Sequence, residues 1–135
     1  RISGLTGGWS ELGAFRLSGA AVEGLAYAAD SGTLYGVVPS SADDSLVIID
    51  PDTGVITATV GTISNGSKEL IALAYDPGAS LAPGDDLLLA LETDGSFEDL
   101  VTIDPQTPNT ATFVGALAFG APIGFRGLAY ERANG

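Results

Sequence analysis

The chain has 135 residues, 45% of them hydrophobic, which is enough for one domain with a buried core. Its 17 acidic and 5 basic residues give a net charge of −12, and a nucleic-acid partner is excluded because it would need clustered lysines and arginines. Cysteine and histidine are absent, so disulfides, thiol catalysis and zinc sites built on either residue are excluded as well. No apolar run approaches the roughly 18 residues of a membrane-spanning helix.

The N-terminal segment and the first complete unit read as short strands joined by turns. Residues 1–20 align with the second half of a repeating unit, and Trp9–Leu17 is predicted as its last strand. Residues 21–62 form the first complete unit, in which Pro51 and Gly54 supply the turn before the last strand. The predicted strands of this unit are 23–29, 33–38, 46–49 and 55–60.

The rest of the chain repeats this order and then stops. Residues 63–119 form the second complete unit, with a longer loop at 76–86. Its predicted strands are 70–75, 87–91, 100–103 and 110–114. Residues 120–135 supply only a first strand, at 125–130. The sequence therefore predicts an all-β chain of four-stranded antiparallel units, two complete and one split between the termini.

Two motifs mark the repeat. Gly-Leu-Ala-Tyr at 24–27 returns as Ala-Leu-Ala-Tyr at 72–75 and as Gly-Leu-Ala-Tyr at 127–130. The first two copies continue to Ile-Asp-Pro-x-Thr, at 49–53 and 103–107. Successive tyrosines of the first motif are about 50 residues apart, which is typical of one four-stranded repeat unit.

This pattern resembles the blades of β-propellers, and it is most similar to the WD40-like repeats of secreted bacterial proteins. The Gly-His and Trp-Asp pairs of WD40 repeats are missing, so scaffold roles tied to those pairs do not transfer. Propellers typically use about 4–8 blades. The resemblance therefore implies a β-propeller-like fold with too few blades to close a ring.

The incomplete count predicts assembly with copies of the same chain. Complete propellers often join their termini within one blade, and here the two predicted sides of that seam would come from different copies. The seam residues are Trp9, Phe15, Leu17, Phe125, Leu128 and Tyr130. Residues 30–104 contain most of the acids and a single base, whereas the ends carry four arginines. This difference either reflects a solvated surface without further meaning or favours head-to-tail contacts. We expect strand exchange to build a filament or a closed oligomer.

Two other functions are open from the sequence. A lectin-like or protein-binding module would use loops on one face, with exposed aromatic residues such as Phe97, to bind a glycan or a surface protein. Alternatively, the chain is a fragment of a longer secreted propeller. The missing initiator methionine, the acidity and the many small residues predict an extracellular or cell-surface protein whose signal peptide has been removed.

Acidic loops are the only candidates for a metal site. Asp50 and Asp52, and Asp85 and Asp86, offer oxygen ligands for Ca²⁺. The first pair lacks the distant glutamate of an EF-hand, and its position is already explained by a predicted turn. Solvated loops are therefore the simpler interpretation of these acidic pairs, and the same holds for Asp43-Asp44. No cofactor is predicted.

Three glutamates and one asparagine are the candidates for catalysis and for modification. Glu69, Glu92 and Glu98 could form the carboxylate pair of a glycosidase. The sequence has no histidine base and no Gly-x-Ser-x-Gly nucleophile turn, so we predict that the chain is not an enzyme. Asn65-Gly66-Ser67 is an N-glycosylation sequon, and Asn-Gly is equally a turn former.

Overall fold

A computed structural model describes residues 21–78, 85–117 and 127–131. Within these ranges the chain is all-β and contains eight strands in two separate sheets. The first sheet, blade 1, consists of β1 (Gly24–Ala28), β2 (Thr33–Val38), β3 (Asp44–Ile49) and β4 (Ile56–Ile63). The second sheet, blade 2, consists of β5 (Glu69–Asp76), β6 (Leu87–Thr93), β7 (Glu98–Ile103) and β8 (Thr112–Ala116).

In each blade the strands are arranged in chain order, and every neighbouring pair is antiparallel. The predicted all-β fold class is confirmed, since the described residues form two four-stranded antiparallel sheets that do not close into a ring. This arrangement is compatible with propeller-like blades. All eight strands predicted for the two complete units exist, with boundaries shifted by a few residues.

Two details of the prediction are wrong. Residues 127–131 are in no strand, although 125–130 was predicted as one. The side chain of Leu128 packs on the surface of blade 2, and this part of the segment pairs with no described strand. Asp44 was predicted to lie in a solvated loop, but it is the first residue of β3 and is fully buried.

The two blades pack face to face through their first strands, β1 and β5. Side chains from both sheets form one buried cluster between them, because alternate residues of each strand point to the same face. Blade 1 contributes Ala26, Val37, Leu46 and Ile63, and blade 2 contributes Leu70, Leu73, Leu88, Ala90, Val101 and Ile103. This cluster is the main core of the described residues.

A second cluster lies on the opposite face of blade 2. Its buried members are Ile71, Ala72 and Leu91, and Leu128 packs against them. The third copy of the repeated motif therefore contacts the far side of blade 2 through Leu128.

Glycine allows the closest approach between the blades. A Cβ atom built on Gly24 would lie 2.9 Å from the carbonyl carbon of Ala72 and 2.9 Å from the nitrogen of Leu73. At the other side of blade 1, a Cβ on Gly61 would lie 2.9 Å from the ring of Pro108. Neither distance is tolerated by real side chains, so both contacts depend on a residue without a Cβ.

Candidate functional site

The repeated motif presents different side chains to its two neighbours. In β5, Leu73 is only 2% exposed because it faces blade 1. In β1, the equivalent Leu25 is 45% exposed, whereas Ala26 on the opposite face belongs to the core between the blades. In each complete copy the leucine thus points away from the following blade, towards the place of a preceding one.

The tyrosines of the first two motif copies differ in exposure in the same way as the leucines. The hydroxyl of Tyr75 in blade 2 donates a hydrogen bond to Oδ2 of Asp30, in the β1–β2 turn of blade 1, at 2.7 Å. Burial and this bond raise the pKa of Tyr75, with a further contribution from Asp86. The same bond lowers the pKa of Asp30. The equivalent Tyr27 is 54% exposed.

We call Leu25 and Tyr27 the open face of blade 1. The first two residues of all three motif copies line one small cavity of about 100 Å³. The three copies therefore converge near one point of the molecule, and the open face lies beside it. Its two large side chains, one apolar and one aromatic, are both about half exposed.

The outer strand of blade 2 is also exposed. β8 is the edge of its sheet, and Phe113 and Val114 on it are 61% and 53% exposed. An apolar edge strand with free backbone groups is a site where another strand can pair.

A buried aspartate joins the two blades at the start of β5. Asp44 accepts hydrogen bonds from the backbone N–H of Ser40 at 3.1 Å, from Nδ2 of Asn65 at 2.8 Å and from the backbone N–H of Leu70 at 2.8 Å. It therefore links the β2–β3 loop, the connection between the blades and the start of strand β5 in blade 2. The sequence offered no signal that distinguishes it from its neighbour Asp43.

Asn65, the glycosylation candidate, lies between β4 and β5, in the connection between the blades. We call this connection, together with Asp44, the junction. Its Nδ2, the nitrogen that would carry a glycan, donates to Asp44. Its Oδ1 is buried and accepts no hydrogen bond. Glycosylation of Asn65 stays a prediction, and the geometry gives the side chain a structural role as well.

A charged cluster lies next to the junction. Nζ of Lys68 is 3.0 Å from Oε2 of Glu92 and 2.8 Å from Oδ2 of Asp99, two residues that face each other on β6 and β7. These bonds raise the pKa of Lys68 to about 12. Glu92, one of the glycosidase candidates, is thus a buried carboxylate neutralised by an ammonium group, while Glu98 is buried and Glu69 is exposed.

Replacing Lys68 with methionine is expected to lower the free energy of unfolding by about 1 kcal/mol at neutral pH, since the ammonium is partly exposed and screened by solvent. Because the pKa rises from 10.5 to about 12 on folding, the contribution is complete below 10.5 and disappears as the pH increases through 12. Urea unfolding of both proteins across this range measures the difference. Lys68→Arg is the charge-conserving control, and equal stability of wild type and Lys68→Met at neutral pH would contradict the prediction.

Among the calcium candidates, Asp50 forms a turn through its carboxylate. Oδ1 of Asp50 accepts the backbone N–H groups of Asp52 at 2.8 Å and Thr53 at 3.2 Å, which lowers the pKa of Asp50. Asp104 forms the equivalent turn in blade 2 with Gln106 and Thr107. Asp85 and Asp86 directly precede β6. Within the described ranges, no group of three or more acidic residues is arranged to hold a metal ion.

The predicted seam is only partly described. Trp9, Phe15, Leu17 and Phe125 lie outside the described residues. Leu128 packs on blade 2, and Tyr130 is 39% exposed.

Comparisons with known proteins identified no relative of the chain. No family model, curated protein or solved structure matches the chain. In the described part of the chain there is no helix that is long and apolar enough to cross a membrane.

Proposed function

We propose that the chain is a non-enzymatic, extracellular structural protein of propeller-like blades, whose copies complete one another by strand exchange in a filament or closed oligomer. The observation that carries the proposal is the open face. Leu25 is 45% exposed, whereas its repeat equivalent Leu73 is 2% exposed and packs in the core against blade 1, the blade that precedes it.

The energetics favour covering this face. Burying a leucine or an aromatic side chain fully contributes about 1.5–3 kcal/mol. A preceding blade that offers a turn aspartate, as Asp30 does to Tyr75, would also accept a hydrogen bond from Tyr27. A second copy provides blades of this type, and the edge strand β8 provides backbone groups for pairing.

Light scattering coupled to size-exclusion chromatography at micromolar concentration tests the assembly. The wild-type chain is expected to elute as an oligomer, and the double variant Leu25→Asp/Tyr27→Ser is expected to elute as a folded monomer. Both positions are exposed, so the blades themselves should survive, which circular dichroism verifies. Phe97→Ser is the matched control, because Phe97 is 72% exposed at the β6–β7 turn and lies outside the open face.

A stable wild-type monomer would contradict the proposal. The remaining possibility is a longer propeller in which the preceding blade belongs to the same polypeptide. Mass spectrometry of the protein from its native source tests it, because such a polypeptide would have a larger mass.

The second candidate is a binding module, favoured by Phe97. The carboxylate of Asp94 accepts the backbone N–H groups of Ser96 and Phe97, each at 2.8 Å, and so fixes the turn that presents this ring to solvent. Saturable binding to a glycan array that Phe97→Ser abolishes would support this function over assembly.

A further inference from the structure

The bond between Asn65 and Gly66 combines two features that matter for chemical stability. Asparagine is a thermolabile residue because the backbone nitrogen of the next residue can attack its side-chain carbonyl carbon. Glycine offers the least hindered nitrogen, since it has no Cβ. Both Asn65 and Gly66 lie in the short connection between β4 and β5.

The structure leaves the attacking nitrogen accessible. Gly66 is exposed, has a φ of +69° and has no atom within 4 Å of the position of a Cβ. Its N–H forms no hydrogen bond with the described residues, and the turn is closed by the bond from the nitrogen of Lys68 to the carbonyl of Asn65.

The amide of Asn65 donates a hydrogen bond that a carboxylate in its place could not donate. Its Nδ2 donates to the fully buried carboxylate of Asp44 at 2.8 Å, and its Oδ1 has no hydrogen-bond partner in the described structure. A carboxylate in place of this amide would place two hydrogen-bond acceptors, its own oxygens and those of Asp44, next to each other. Two such groups repel each other unless one of them is protonated.

We propose that Asn65-Gly66 is a site of hydrolytic deamidation, and that its product opens the junction between the blades. The nitrogen of Gly66 forms a bond to Cγ of Asn65, the bond from Cγ to Nδ2 breaks, and the amide nitrogen leaves as ammonia with the proton of Gly66. Water then opens the succinimide ring and leaves an aspartyl or isoaspartyl residue. No oxidant, reductant or cofactor takes part.

Incubation of the full chain at mildly alkaline pH, followed by peptide mapping with mass spectrometry, tests the first half of the proposal. Asn65 is expected to convert to the acid, whereas Asn109 stays an amide because the β-branched Thr110 follows it. Conversion of Asn65 that is no faster than that of Asn109 would overturn the proposal.

The Asn65→Asp variant tests the second half, with Asn65→Ser as a neutral control. At neutral pH the aspartate variant is expected to have a lower melting temperature than the serine variant. The gap should close on acidification, because a protonated carboxyl no longer repels its neighbour and can donate a hydrogen bond to it. Equal melting temperatures of the two variants at every pH would overturn this half.

Discussion

Replacing Asp44 with alanine is expected to lower the free energy of unfolding by about 3 kcal/mol or more, because buried donors that lose their acceptor cost about 1–3 kcal/mol each. Asp44 is fully buried and accepts hydrogen bonds from the backbone of Ser40 and Leu70 and from the side chain of Asn65. The backbone N–H of Leu70 belongs to β5, the strand of blade 2 that packs against blade 1, so we expect the contact between the blades to weaken.

Urea unfolding of the purified chain measures this loss, and Asp43→Ala is the matched control. Asp43 is the preceding aspartate, it is partly exposed, and its carboxylate forms no hydrogen bond in the described structure. We expect the control to differ from the wild type by less than about 0.5 kcal/mol. Similar effects at the two positions would show that the buried hydrogen bonds do not hold the junction.

The strands could be predicted because the sequence encodes them locally. β-branched and apolar runs alternate with turns that contain proline and glycine, and the turn at Asp50 is closed by its own carboxylate within three residues. The repeat strengthened each assignment, since Asp104 forms the same kind of turn at the equivalent position. The eight strands of the two complete units, which depend on neighbouring residues in the chain, were therefore confirmed.

The junction could not be predicted, because its partners are far apart in the sequence. Asp44 and Leu70, or Asp30 and Tyr75, meet only once the two blades have docked. The structure of the third motif copy could not be predicted either, because it too depends on contacts with distant residues. It has the residues of a strand, but 127–131 has no strand neighbour in the described structure and makes its contact through Leu128.

Both ends of β5 are attached to blade 1 by side-chain carboxylates. Asp44 binds Leu70 near the start of the strand, and Asp30 binds Tyr75 near its end. Between these points the apolar side chain of Leu73 fills the core. The blades are thus held by polar contacts at two ends and by apolar packing in the middle, and the open face of β1 has the leucine and the tyrosine to repeat this arrangement with another blade.

Replacing Gly24 with alanine is expected to destabilise the chain by about 1–3 kcal/mol, the usual cost of inserting a methyl group into a packed interface. The new Cβ would lie 2.9 Å from two backbone atoms of the facing strand, those of Ala72 and Leu73, and backbone cannot rotate away as a side chain can. β1 and β5 would have to separate. Gly115→Ala in β8 is the control, because nothing lies within 4 Å of its Cβ position, and it should be neutral in thermal unfolding. A Gly24→Ala variant as stable as the control would mean that the first strands are not in such close contact.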